Sequence, residues 1–544
     1  MNQELSRRRF LQLSGLFAAA AGIATTVSAC APDNPNISGG RGAGGGACAG
    51  TPNADGTISA AISYELGTNG FDPMSTSAAL TVAANWHTFE GLTELNPADG
   101  KVYPALAATL PETSGTEAHI TLRDGAAFAD GTPVTPADVI FSFERVLDPA
   151  NKSLYAGFIP FIDKVTAHGD NAVTVHLAHP TGVLAERLAV VKIVPKAAVT
   201  ANKEAFDSLP MGTGPWRMTD NGGASKVLRF ERNEHYTGPK PARAATMEWH
   251  VIPDSSTRIN ALQSGSAQAI DSVPYLNIDQ LQATHSVQSV QGFGVLFAMF
   301  NNHPSNPFHD VRNRQAFLYA LDYDSLITTG LSGQAAAPTS FLQETHPNYH
   351  RASTVYSHDP AKAKELFAQT GLKKLRLMCT DHNWVAQCTP LIQESLTAVG
   401  MDVDFSERQS ADAYNAIDGK PEAFDVLVAP GDPSVFGTDP DLLMRWWYYA
   451  PTWADSRMHW MGSPGSDRVR GLLDAGIKAT DAAAQQKIWN DTFDALSEEV
   501  PLYPLFHRKT PTAWDPSTLI DFEPISLSGL SFIDVATATA GAGS

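Results

Sequence analysis

Residues 119–139 read without a break as a strand, a tight turn and the start of a helix, and this unit commits the chain to a fold that mixes both kinds of element. His119-Ile120-Thr121-Leu122-Arg123 alternates apolar with polar side chains, the period of a half-buried strand. Asp130-Gly131 is a turn pair. Thr135 supplies a capping hydroxyl, and Pro136 stands at the first helical position, where its missing N–H leaves no bond unmade. Val139, Ile140, Phe143, Val146 and Leu147 then recur at helical spacing along one side. Further on, Val173 to Leu177 predicts a second wet-faced strand. Asp359-Pro360 through Gly371 predicts a helix with Ala363, Leu366 and Phe367 inward, and Phe424 to Val428 a buried strand.

The 544 residues, 43% apolar and 17% charged, suffice for two or three domains with a sizeable core. A formal net charge of −19, with no basic footprint after the first ten residues, argues against a nucleic-acid partner. Four cysteines make no disulfide scaffold, and no Cys-x2-Cys spacing occurs. The tight Cys/His group is Cys379, His382 and Cys388. No metal or other cofactor is expected there, because in an exported chain a Cys379–Cys388 disulfide is the simpler reading. No Gly-x-Ser-x-Gly elbow, His-Glu-x-x-His pair or lysine-bearing phosphate loop is present, so nothing argues for an enzyme.

Export is read from the N-terminus. Ser6-Arg7-Arg8-Arg9-Phe10-Leu11 is a charged segment, and Leu11 to Val27 is an uncharged, alanine-rich run shorter than the roughly 20 residues a spanning helix needs. The arginines followed by Phe-Leu resemble a twin-arginine export signal, and Val27-Ser28-Ala29-Cys30 resembles a lipobox. Residues 1–29 are thus expected to be a signal peptide and Cys30 the lipidated first residue of the mature chain, held on the outer face of the cytoplasmic membrane. The glycine-rich residues 30–56 are expected to form a flexible tether.

The run Ile120-Thr121-Leu122-Arg123-Asp124-Gly125 through Phe128, Asp130-Gly131, Thr135 and Asp138-Val139 resembles the signature of the peptide and nickel class of extracellular solute-binding proteins, family 5. Gly212-Thr213-Gly214-Pro215-Trp216, Asp254 to Arg258 with Ala261-Leu262-Gln263-Ser264-Gly265, and Asp310-Val311-Arg312 with Gln315-Ala316-Phe317 follow in that family's order. As residue types these are mostly scaffold. The resemblance implies an α/β, two-lobed periplasmic-binding-protein-like fold with an extra inserted domain, the class C type. Mapped here, lobe I takes residues 57–90, 208–296 and 506–535, the inserted domain 91–207 and the opposing lobe 297–505, with 536–544 as a tail. It also implies hinge closure on a small peptide and delivery to the permease subunits of an ABC importer.

In the family an aspartate after a buried strand pairs with the ammonium group of a bound peptide, and Asp432 stands in that place, with Asp439 and Asp441 as nearby substitutes. The family's tryptophan before the Gly-Asp is missing here. Trp446, Trp447, Tyr448 and Trp453, in a cluster extending to Trp460, are candidates to line the pocket, as is Trp384 in the loop where dipeptide binders carry an arginine. Planar rings also suit sugars, so an oligosaccharide is the second ligand expected. A nickel or haem carrier, or a ligand sensor without a transport role, comes after it.

Overall fold

The computed structural model describes residues 50–539 apart from 65, 67–69, 77 and 528. The signal segment, Cys30, Cys48 and most of the tether lie outside the described residues. Among the described residues no helix is long and apolar enough to cross a membrane.

The expected strand–turn–helix unit is present. Glu117–Thr121 pairs antiparallel with Ala172–Leu177, and Pro136–Leu147 is a helix. Asp138 Oδ2 accepts from both the backbone N–H (3.0 Å) and the hydroxyl (2.6 Å) of Thr135, fixing the first turn. Val139, Phe143 and Val146 form its buried face, as the spacing predicts. Gly131 has φ +86°, the left-handed conformation that its turn requires. The helix Pro360–Thr370 is capped by Asp359, which accepts from Lys362 N at 2.9 Å, and ends at Gly371 with φ +75°.

Among the described residues one mixed sheet of eleven strands organises the molecule. Its order is Asp402–Arg408, Lys374–Thr380, Val426–Gly431, Ser286–Phe300, Leu502–Trp514, Ala269–Ile270, Thr57–Ile62, Thr246–Val251, Val227–Arg232 and Trp216–Asn221, with Ala335–Ala336 beside Leu502–Trp514. The two long central strands run antiparallel over their whole length, but the ladder is irregular between Gln291 and Val295. The boundaries expected after residues 296 and 505 fall inside these strands.

The signature residues serve the scaffold. Arg123 grips the buried Glu90 with two bonds of 3.0 and 3.1 Å. Asp254 and Asp310 cap the helices Ser255–Gln263 and Val311–Ala320. Gly212 and Gly214 are small because of the backbone they face. A Cβ at Gly214 would stand 2.5 Å from His87 O, and one at Gly212 would overlap Thr88 O, so two segments can approach only at glycine.

The expected Cys379–Cys388 bridge is not formed; both are free, buried thiols. Cys379 lies on the strand Lys374–Thr380 and Cys388 on the following helix Asn383–Ala398, and both side chains are absorbed by the same apolar core. Cys388 Sγ donates to Trp384 O at 3.7 Å.

Candidate functional site

A cavity of about 680 Å3 opens among segments far apart in sequence. The helix Ala79–Thr88 contributes Val82, Asn85 and Trp86, the strand Thr93–Leu95 contributes Glu94, and the loop after it Asp99 and Lys101. Glu186 comes from the helix Leu184–Leu188, Val290 and Gln291 from a long central strand, and two further segments supply Gln343 with 345–348, and 434–439. This is the volume of a site for one small solute. A second cavity of about 240 Å3 shares Gln291, Gln343 and Thr345 with it and adds Thr339, Glu344, His507 and Lys509.

The lining of the larger cavity is acidic, but most of its carboxylates are engaged. Lys192 Nζ holds Glu94 at 2.5 and 2.6 Å, and Lys101 holds Asp99 at 3.0 Å. Burial pushes the Glu94 carboxyl above its usual value, with Lys192 pulling the other way. Among the described residues Glu186 makes no ion pair; burial raises its carboxyl, its own backbone N–H lowers it, and the charges of Asp439 and Arg187 act on it in opposite directions. Asp439 is held by Arg187, which also reaches the fully buried Asp441 at 2.8 Å. Burial lowers His346, whose Nε2 bonds Thr438 O at 2.8 Å.

The residues expected from sequence are divided by the structure. Asp432 follows the strand Val426–Gly431 and caps the turn Pro433–Val435, accepting from Ser434 N (3.3 Å) and Oγ; its carboxylate also faces Gly294. It does not line either cavity, although Ser434 lines the larger. Trp447 and Tyr448 are corrections to the expected pocket. At 1% and 0% exposure they have no face left for a ligand; Trp447 packs on Phe293 and Phe297, and the Tyr448 hydroxyl donates to Leu502 O at 2.8 Å. The reason is that the helix Pro440–Tyr448 is enclosed on nearly every side.

Trp453 is likewise buried, with Arg457 over its ring at 4.4 Å. Trp446 stacks on Phe158 at 5.8 Å and leans on Phe436, the residue that does line the cavity. Trp384 lies against Phe506 with Arg508 over its ring at 4.8 Å, away from both cavities. The aromatic residues of the lining are instead Trp86, Tyr155 and Phe436. Sequence reasoning missed Trp86, Glu186 and Lys509, none of which belongs to a spaced motif. Among the described residues no group of three or more His, Cys, Asp or Glu could hold a metal ion.

Residues 101–468 match the bacterial extracellular solute-binding proteins, family 5 (middle). The chain belongs to this family, and its fold is the family's two-lobed α/β fold. It is 28% identical over 355 residues to the probable di/tripeptide-binding protein 5 of Pseudomonas aeruginosa, covering 60% of this chain and 66%, just under two thirds, of that relative. It is 22% identical to the glutathione-binding protein GsiB of Escherichia coli over 85% of this chain and 91% of the relative. The solved structure of the binding protein AgaA from A. tumefaciens in complex with agropinic acid superposes with a TM-score of 0.77 at 25% identity, over 89% of this chain and 99% of that one.

Proposed function

We propose that this protein captures a short peptide and delivers it to the permease subunits of an ABC importer. The observation that carries the reading is the acid-lined cavity of about 680 Å3, which has room for one small solute and a surplus of carboxylates for an ammonium group. The di/tripeptide- and glutathione-binding relatives support it. In this reading residues 57–90, 208–296 and 506–535 form one lobe, 91–207 an inserted domain and 297–505 the opposing lobe. Closure is a population shift driven by ligand contacts to both lobes. Cys30 carries the lipid that keeps the protein at the membrane, after export by the twin-arginine route. Native mass spectrometry of the purified protein tests the ligand class. Adducts with peptide masses support the proposal, whereas a ladder of hexose increments replaces it with an oligosaccharide binder.

A further inference from the structure

The helix Ala79–Thr88 is enclosed almost all round, and Trp86 is the one large side chain it leaves partly open. Trp86 lines the larger cavity, as does Val82 one helical turn before it. Its other side packs against the apolar cluster that includes Ala83, Trp216 and Trp249. No ring, cation or hydrogen-bond acceptor among the described residues engages the indole. The other aromatic residues of the lining are committed: Tyr155 and Phe436 lie 5.5 Å apart edge to face, Phe436 leans on Trp446, and the Tyr155 hydroxyl donates to Thr76 O. An indole anchored on one side by the core brings a large apolar surface to a ligand that does not have to be ordered on binding.

The rest of the wall narrows what that surface takes. Val82, Val435 and Leu527 line the same cavity, and a bulky apolar group gains by leaving water against them. Three of the four acids of the lining, Glu94, Asp99 and Asp439, are bound by Lys192, Lys101 and Arg187, so a further carboxylate would stand among like charges whose cations are taken. We infer that Trp86 determines which peptides the protein takes: its indole receives a bulky apolar side chain of the ligand, small side chains are held less tightly, and acidic ones are rejected. This rests on the reading of the larger cavity as a peptide site and adds the class of side chain selected there.

The test is calorimetry with Ala-Ala-Ala, Phe-Ala-Ala, Ala-Phe-Ala, Ala-Ala-Phe, Ala-Glu-Ala and maltotriose, on the unaltered protein and its Trp86→Ala and Trp86→Phe variants. In the unaltered protein phenylalanine at one of the three positions should strengthen binding about tenfold or more over Ala-Ala-Ala, as expected for taking a large apolar side chain out of water, and Ala-Glu-Ala should bind more weakly than Ala-Ala-Ala. Trp86→Ala should bring the phenylalanine preference close to one, and Trp86→Phe should keep most of it; a residue that only supported the fold would weaken every peptide alike. The preferred peptide with 4-benzoylphenylalanine in place of its phenylalanine gives a check that needs no variant, since on irradiation its cross-link should fall on Trp86 or Val82. No phenylalanine preference in the unaltered protein, a preference that survives Trp86→Ala, or a cross-link confined to other segments overturns the assignment, while tripeptide binding itself leaves the peptide reading intact. Maltotriose binding lost in Trp86→Ala, without tripeptide binding, overturns both and makes Trp86 a platform for a sugar ring. No binding of any probe also overturns both.

Discussion

Arg187 closes a two-point fork on Asp439, Nε to Oδ2 at 2.8 Å and Nη2 to Oδ1 at 2.6 Å, although the two residues are 252 positions apart. The same guanidinium reaches Asp441 Oδ2, while Arg445 holds both oxygens of that carboxylate, Nε to Oδ2 and Nη2 to Oδ1, each at 3.0 Å. Burial alone would raise the Asp441 carboxyl, but Arg445 and Arg187 outweigh it and hold it below the usual carboxylate range. The planar fork, not charge alone, makes this junction between distant segments.

Arg187→Ala should therefore destabilise the protein by about 3–5 kcal/mol, because it strands carboxylates out of water. Arg187→Lys should recover only part of the loss, since an ammonium cannot repeat the fork. Urea midpoints check both; an Arg187→Ala variant as stable as the parent would show that the junction carries no weight.

His87 sets an acid limit. Its Nδ1 bonds Ala83 O at 2.7 Å and its Nε2 accepts from Phe532 N–H at 2.9 Å, so the ring sits neutral between a helix and the C-terminal segment. Burial lowers its pKa from 6.5 to about 4, against the smaller effect of the Ala83 carbonyl. The folded value is depressed, so its contribution is complete above pH of about 6.5 and is lost as pH falls towards 4, on the order of 3 kcal/mol. The buried acids Glu90, Glu94 and Asp271, raised chiefly by burial, act with the opposite sign. The His87→Gln variant isolates the effect: between pH 6.5 and 4.5 its stability should fall less steeply than the parent's, and an unchanged slope would remove His87 from this role.

Cys379 and Cys388 should both take up iodoacetamide in denaturant without reductant. In the native protein the reaction should be slow, because burial pushes both thiols up to about 12 and leaves little thiolate. Peptide mapping that finds the pair unlabelled and lighter by two hydrogens would restore the bridge.

Gly214→Ala should cost about 1–3 kcal/mol or more, the range for forcing extra volume into a packed site, since the added methyl meets backbone at His87 and Thr88. A melting curve unchanged by the substitution would contradict the close approach seen here.

Local pattern made much of the scaffold legible. Thr135-Pro136, Asp130-Gly131, Asp359 and Gly371 act through bonds to residues within a few positions, which a sequence displays directly. The site was legible only in part. Trp446, Trp447 and Tyr448 promised a pocket because side-chain type is visible, whereas the enclosure of their helix by distant segments is not. Glu186 looks like an ordinary surface acid next to Arg187. Its neighbour Arg187 is bound by Asp439, 252 residues away, which the sequence does not display. Lys509 lines the smaller cavity beside Gln291, its strand partner more than two hundred residues earlier.

The central ladder departs from regular pairing twice, between Leu296 and Phe297 and, over a longer interruption, between Gln291 and Val295. Sliding one long strand along the other would break every registered pair on both sides of it, so shear is resisted, while bending there disturbs few bonds. Gln291, paired with Lys509, is the last regular rung on one side, and Val295, paired with His507, is the first on the other. Gln291, His507 and Lys509 also line the smaller cavity. If the ligand of the proposed function reaches that cavity, it touches the strands at the last rung before the interruption and the first one after it.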